Sequence, residues 1–206
     1  MVGYSILLLP ATTSAGVEKM KYTIPAIQTP YQGIVFNSGL EARWAAFFDD
    51  MYWSWAYESF TMRGWIPDFL LKGKEQNYLA EVKYFPAFSG WSEVLPKMRK
   101  GVADTHYESH PVFLLGGLIE CTTVEGVHIA TIGRAYSFKT EHHLPLYVVD
   151  YTLYLSNKPI MGRRTDTLKE AVRAVGENYK QVQVAFNTAG QLTRWLRGKE
   201  NQCSGQ

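Results

Sequence analysis

Cysteine is nearly absent from this chain: Cys121 and Cys203 are its only two in 206 residues, with no CxxC pair and no Cys/His pattern. That excludes a disulfide framework and a thiolate zinc site, and it fits a reducing cytosol. Long apolar runs are lacking as well, none approaching the roughly 20 residues that span a bilayer. Ile6-Leu7-Leu8-Leu9 is followed by small residues, but no basic residue precedes it and Pro10 cuts it short, so a secretory signal is not expected. Residues 1–20 read as a flexible extension, or as sequence upstream of a start at Met20. An excess of one charge is missing too, since a net charge of +2 does not by itself announce a nucleic-acid partner. With no repeat, low-complexity tract or linker, one domain over residues 21–197 is expected, followed by a disordered polar tail over 198–206.

Helical and strand periodicities share the rest. Residues 21–36, with Pro25, Pro30 and Gly33, read as an extended lead-in. Leu40, Trp44, Phe47, Phe48 and Met51 then recur at helical spacing, and Ser38 with Glu41 is a capping box. A strand is expected over 53–60, then two apolar strands flanking the polar turn from Lys72 to Asn77. Next come a loop holding Trp91, a basic helix over 92–104, and a buried central strand from Pro111 to Gly117. Residues 118–138 alternate as strands around a Glu125-Gly126 turn. A His- and Pro-containing loop is expected over 140–146, and a strand over 146–155. Thr167 and Glu170 form a second capping box, opening a helix that carries Leu168, Val172, Val175, Tyr179, Val182 and Phe186 on one face until Gly190 breaks it. Helix, three strands, helix, strand predicts an α/β layer architecture with a mixed sheet. Beyond the core, the order predicts a β-rich extension and a long helix.

The chemistry concentrates between Gly64 and Lys83. Glu81 and Lys83 point to one face of a strand otherwise built from Leu79, Ala80 and Val82, and Asp68 sits at the edge of its partner strand. Charges there must be solvated, ion-paired or metal-bound, because an isolated buried charge is too costly. If the Ser38-capped helix crosses the hairpin, Glu41 joins them. Such a set suits phosphodiester hydrolysis. Asp68 and Glu81, with the Val82 carbonyl, offer oxygen ligands to Mg²⁺ or Mn²⁺, and Glu41 can act through a water. The metal polarises phosphate and activates water, while Lys83 meets the developing charge. Simpler uses stand beside each role: Glu41 as a cap, and Lys83 as an ion-pair partner of Asp68 or Glu81.

Ile66-Pro67-Asp68, twelve residues, then Glu81-Val82-Lys83, with a helical Glu41 upstream, resembles the PD-(D/E)XK nuclease motif. Gly39-Leu-Glu-Ala-Arg-Trp-Ala-Ala-Phe-Phe-Asp, Gly-Trp-Ile-Pro-Asp-Phe and Ala-Glu-Val-Lys look like the small PD-(D/E)XK proteins of phage and bacterial genomes. The resemblance covers residues 34–118. It implies a restriction-endonuclease-like core: a central mixed sheet flanked by helices, cleaving DNA with a divalent metal. It makes Asp68 and Glu81 the metal ligands, Lys83 the catalytic lysine and Glu41 the accessory acid. Residues 119–206 lie outside it. The implied enzyme is a Mg²⁺- or Mn²⁺-dependent deoxyribonuclease, more an endonuclease than an exonuclease, in the cytoplasm of a bacterial host if phage-encoded. The alternatives are a nuclease for RNA or branched DNA, or an inactive nuclease fold that binds nucleic acid or protein. Arg43, Lys97, Lys100, Arg163 and Arg164 are candidate phosphate contacts, although a solvated surface explains Lys97 and Lys100 equally well and Arg43, Arg163 and Arg164 more simply. Trp91 suits a base stack or a loop anchor, and the 168–186 stripe suits a homodimer seam or packing within the domain. Adjacent histidines in a loop rarely ligate one ion together, so His142-His143 are not expected to hold a metal.

Overall fold

The computed structural model describes residues 26–84 and 88–203. The extension expected over residues 1–20, part of the loop around Pro86 and the last residues of the tail fall outside them. Thr29–Tyr31 (β1) and Ile34–Phe36 (β2) form a small antiparallel hairpin, where the sequence suggests only an extended lead-in. The main body follows as Gly39–Asp50 (α1), Trp55–Tyr57 (β3), Phe69–Lys72 (β4), Asn77–Val82 (β5), Leu95–Val102 (α2) and Val112–Val124 (β6). Then come Val127–Ser137 (β7), His142–Val149 (β8), Thr152–Leu155 (β9), Lys158–Met161 (β10), Leu168–Val175 (α3) and Tyr179–Cys203 (α4).

Strands β3 to β10 lie side by side in chain order in one eight-stranded sheet. Every described neighbour pair in it is antiparallel except β5 and β6, where Glu81 faces Leu114 and Val82 faces Leu115 in parallel register. A parallel pair needs a crossover, and the segment carrying α2 supplies it. The expected helix, three strands, helix, strand order is therefore present as α1, β3, β4, β5, α2 and β6. The chain is mixed α/β, with one large mixed sheet and four α-helices among the described residues.

Side-chain alternation along β5 and β6 separates two cores. Ala80, Val82, Phe113 and Leu115 face α1 and α4, where Trp44, Phe47, Phe48 and Phe186 pack ring against ring. Leu79, Val112 and Leu114 face the α2 layer with Trp65, Trp91, Met98 and Tyr107. Both faces of these strands are thus apolar, as the near-continuous apolar run of β6 requires. Trp91 is buried as a loop anchor in the second core. A third cluster seats Leu168, Ala171 and Val172 of α3 on Ile129, Val149 and Tyr154.

Several boundaries differ from expectation, each for a local reason. The 146–155 strand is two strands, β8 and β9, because Asp150 and Tyr151 take φ of 48° and 57° and reverse the chain. The loop expected over 140–146 is largely the start of β8, with His142 and His143 paired to Ser137 and Tyr136. The last helix breaks at Gly176, which adopts φ 74°, and not at Gly190. Asn178 fixes that joint to the sheet, its backbone N–H donating to the His128 carbonyl at 3.3 Å and its Nδ2 to the Val148 carbonyl at 2.7 Å. Beyond it α4 runs through Gly190 to Cys203, so most of the tail expected to be disordered is helical. Of the apolar stripe, Leu168, Val172, Val182 and Phe186 are buried within the domain. No described helix is long and apolar enough to cross a membrane.

Candidate functional site

Asp68 stands just before β4, and Glu81 and Val82 end β5, so one end of a single hairpin brings them together. The β5 alternation puts Glu81 on the Leu79 side, in the α2 layer. Trp65 covers it there. A tight turn at Arg63 and Gly64, with φ of 45° and 84°, folds Met62 back on Trp65 and delivers the indole into the core. A buried indole N–H needs an acceptor, and Trp65 Nε1 donates to Glu81 Oε2 at 2.9 Å. Gly101 of α2 makes room for the ring: a Cβ there would lie 2.7 Å from Trp65 Cε3.

Lys83 closes the cluster. Its Nζ lies 2.7 Å from Glu81 Oε1, 3.0 Å from the Val82 carbonyl oxygen and 3.5 Å from Asp68 Oδ2. These are the three oxygens that the sequence assigns to a cation, and one positive centre already sits among them. Asp68 Oδ2 also accepts the Val82 backbone N–H at 2.7 Å, while its Oδ1 accepts no hydrogen bond from a described residue. Asp68 and Glu81 are 7% and 4% exposed, whereas the Lys83 side chain keeps 37% of its surface. Only the lysine is placed to leave.

Electrostatics set the two partners apart. Burial, then the neighbouring Glu81 carboxylate, push the Asp68 carboxyl up to about 7, against the pull of Lys83 and the Val82 N–H. For Lys83, burial disfavours the ammonium, but Asp68 and Glu81 outweigh it and hold the amine above its ordinary value. Asp68 is thus poised near neutrality beside a lysine that stays charged.

Glu41 is buried next to this cluster without joining it. Its Oε2 accepts from the Tyr57 hydroxyl at 2.5 Å and from the Asn37 backbone N–H at 3.1 Å, and its Oε1 accepts from Ser38 Oγ at 2.8 Å. The Ser38 Oγ in turn accepts the Glu41 N–H at 3.2 Å. The capping box is therefore modified, with Glu41 reaching back to Asn37 and to the Ser38 hydroxyl. Burial and the bond to Glu41 raise the Tyr57 phenol far above its usual value. Glu41 acts on Asp68 and Lys83 through its field, disfavouring the Asp68 carboxylate and favouring the Lys83 ammonium. Among the described residues no group of three or more His, Cys, Asp or Glu side chains is gathered to hold a metal ion. The donor set that does converge is two carboxylates and a carbonyl, all hard oxygens of the kind Mg²⁺ and Mn²⁺ take.

The candidate phosphate contacts scatter. Arg43 is half-buried between helices, its Nε donating to the Phe186 carbonyl at 2.8 Å and its Nη2 to Asn187 Oδ1 at 2.9 Å. Lys97 and Lys100 are exposed on α2. Arg163 lies over the rings of Tyr52 and Tyr151. Arg164 is held by Asp166 and Asp150, and its carbonyl accepts from Lys74 in the β4–β5 turn, at the opposite end of the hairpin from Asp68. Trp65, Tyr57 and Asn37 are the positioning residues that sequence reasoning missed. The available signal was a tryptophan three residues before the acid, whose indole N–H has to find a partner once buried.

Comparison with protein-family models, with curated proteins and with solved structures returned no match.

Proposed function

We propose that this protein is a divalent-metal-dependent nuclease that hydrolyses phosphodiester bonds in DNA. The observation that carries the reading is the convergence of Glu81 Oε1, the Val82 carbonyl and Asp68 Oδ2 on one positive centre. The order α1, β3, β4, β5, α2, β6 around it agrees with the restriction-endonuclease-like core that the resemblance implies, with the one parallel pair at β5 and β6.

Asp68, Glu81 and the Val82 carbonyl would hold Mg²⁺ or Mn²⁺. Bound there, the ion would supply Lewis-acid polarisation of a phosphate oxygen and acidify water for attack at phosphorus. The protein's own groups do the rest. Trp65 fixes the second oxygen of Glu81, and the Val82 N–H fixes Asp68, so neither carboxylate has to reorganise during the reaction. Lys83, charged at neutral pH and partly exposed, offers its ammonium to the negative charge that builds on the phosphate as the new P–O bond forms and the ester P–O bond breaks. Glu41 ties the start of α1 to β3 through Tyr57 and keeps a negative field on the cluster. Its role is positioning.

The test is incubation of the purified protein with supercoiled plasmid, single-stranded DNA, a four-way junction and RNA, in Mg²⁺, Mn²⁺ or EDTA. Metal-dependent cleavage lost in Lys83→Ala and Asp68→Asn is the expected result. Cleavage that survives in both variants, or in EDTA, overturns it. A second reading rests on the same contact: the Lys83 ammonium satisfies both carboxylates without a metal, as a nuclease fold used only for binding would require. Tight DNA binding with no cleavage under any metal condition favours that one.

A further inference from the structure

Among the described residues, most guanidinium groups face a carboxylate. Arg63, Arg99, Arg134, Arg164 and Arg173 each meet a carboxylate at N–O distances between 2.5 and 3.7 Å. Arg163 lies over two tyrosine rings. Arg43 and Arg194 have no described carboxylate within that range, yet both line one cleft of about 500 Å³. Arg43 arises from α1 and Arg194 from α4. Burial, then the proximity of Arg194, pull the Arg43 guanidinium below its ordinary value, as two facing like charges should.

The chain has made room for this arrangement. Gly190, inside α4, is where a Cβ would lie 2.8 Å from Arg43 Nε, so its lack of a side chain admits the guanidinium. Glycine inside a helix is destabilising relative to alanine, so the gap comes at a cost to the helix. Arg43 is then clamped by Phe186 and Asn187 through Nε and Nη2, with its Cζ 3.6 Å from the centre of the Phe186 ring. Its Nη1 has no described partner. Arg194 uses Nε on the Gly190 carbonyl at 3.1 Å, leaving both terminal nitrogens without a described partner.

Tyr84 forms the third wall. It follows Lys83 directly in the chain, and it lies over Gly117 of β6, where a Cβ would stand 2.7 Å from the ring. The residue nonetheless stays 57% exposed. Leu40, next to Glu41, lines the cleft from α1. Its walls therefore continue the two segments that carry Glu41 and Lys83.

We propose that this cleft grips one strand of nucleic acid beside the scissile phosphate, with Arg194 and Arg43 Nη1 on backbone phosphate and Tyr84 stacked on a base. The placement beside a scissile bond rests on the nuclease reading; the strand-binding itself does not. Two unneutralised guanidiniums call for an anion. An aromatic ring beside them selects an anion that carries a planar group, and base stacking on such a ring is sequence-tolerant. A cavity of this size takes a small-molecule-sized unit, which suits one nucleotide of a single strand and not a duplex.

Fluorescence anisotropy with labelled oligothymidylate in EDTA measures binding without cleavage. Arg194→Glu and Tyr84→Ala are each expected to weaken binding by about tenfold or more. Arg194→Lys should recover most of the loss, and Arg194→Glu should lower the slope of log affinity against log salt by about 0.7. Circular dichroism confirms that each variant is folded, and both side chains are exposed enough for substitution. Arg164→Gln, in an ion pair away from the cleft, should bind like the wild type. Wild-type affinity in both Arg194→Glu and Tyr84→Ala, or equal competition by poly-glutamate, overturns the cleft and leaves the nuclease reading standing. Binding that depends on Arg194 and Tyr84, with no cleavage in Mg²⁺ or Mn²⁺, keeps the cleft and sinks the nuclease. A wild type that binds no nucleic acid sinks both.

Discussion

Two clusters in this molecule place a cation between two carboxylates, and they behave in opposite ways. At one end of the β4–β5 hairpin, Lys83 sits between Asp68 and Glu81, whose side chains are 11% and 6% exposed. Near the other end, Arg164 sits between Asp150 and Asp166, whose side chains are 43% and 28% exposed. In the open cluster Arg164 and Asp166 stabilise each other: hydrogen bonds to Asp166 first, then to Asp150, raise Arg164, and the bond to Arg164 lowers Asp166. In the buried cluster Asp68 is pushed the other way, because burial and Glu81 outweigh its cation. The open cluster is an ion pair at rest. The buried one holds a carboxylate that the fold does not satisfy, which is where an added cation has something to do.

The largest expected contrast is in activity. Lys83→Ala or Asp68→Asn should lower the rate of metal-dependent plasmid cleavage by about a hundredfold or more, the scale of losing one preorganised charge contact. Arg164→Gln, assayed beside them, should cleave at the wild-type rate. Comparable losses in all three would mean that the buried cluster is no more catalytic than the open one.

Stability against pH separates the clusters next. The Asp68 carboxyl sits near 7 in the folded protein, against an ordinary value near 4. Between those values the folded chain holds a proton that the unfolded chain has released, so this residue makes stability fall as pH rises from about 4 to about 7. Above about 7 the full cost of a buried carboxylate is present. Asp68→Asn should therefore melt higher than the wild type at pH 8 without metal, and the difference should fade toward pH 4. A divalent cation binds the ionised form, so Mg²⁺ or Mn²⁺ should raise the wild-type melting temperature more at pH 8 than at pH 5.5, with no such gain in Asp68→Asn. Thermal melts by circular dichroism settle it. Equal pH profiles for the two proteins would show that burial does not hold Asp68 neutral.

How much of this was legible in the residues follows from range. Asp68, Glu81 and Lys83 are joined by one hairpin, and strand alternation alone puts Glu81 and Lys83 on one side; their convergence needs no distant contact. The first helix, the α2 segment and the central strand followed from periodicity and caps in the same way. Trp65 was legible as an apolar residue but not as a donor to Glu81, because its direction depends on positive φ at Arg63 and Gly64 and on the gap at Gly101 of another element. Gly190 was misread as a helix end, since only the packed structure shows Arg43 filling the space where its side chain would be. The β8–β9 reversal was invisible for a different reason. Asp150 and Tyr151 adopt left-handed backbone with no glycine to announce the turn.

A smaller effect probes how the buried cluster is held. Gly101→Ala puts a methyl within 2.7 Å of Trp65 and 3.1 Å of the Met62 carbonyl, so the indole has to shift and Glu81 loses a well-aligned donor. Overpacking of this kind costs about 1–3 kcal/mol. Cleavage should fall by about tenfold with little change in DNA affinity, the split expected of a positioning effect. Trp65→Phe removes the indole N–H while keeping an aromatic ring, and should reproduce the activity loss with a smaller loss of stability. If Gly101→Ala lowers the melting temperature and leaves the cleavage rate untouched, Trp65 serves the core and not the carboxylate.

The smallest effect belongs to the open cluster, and its smallness is the point. Arg164→Gln removes the charge and the 2.5 and 3.3 Å contacts to Asp166 and Asp150. Those carboxylates stay in contact with water, so neither is left stranded by the change, and exposed pairs contribute about 0.2–1 kcal/mol. The melting temperature should drop by about 2–4 °C at most for a chain of this size. The drop should shrink as salt is added, because charges open to solvent are screened. Lys83→Gln differs in kind. It leaves Glu81 with the Trp65 N–H and no cation, and Asp68 with the Val82 N–H alone, both in the interior. Its cost should persist in high salt and be relieved by adding Mg²⁺ or Mn²⁺, since another cation can take the vacated place among the same three oxygens. Melts of the two glutamine variants across a salt series, with and without metal, test this directly. Metal rescue of both, or of neither, would remove the distinction between an ion pair at rest and a site built for a cation.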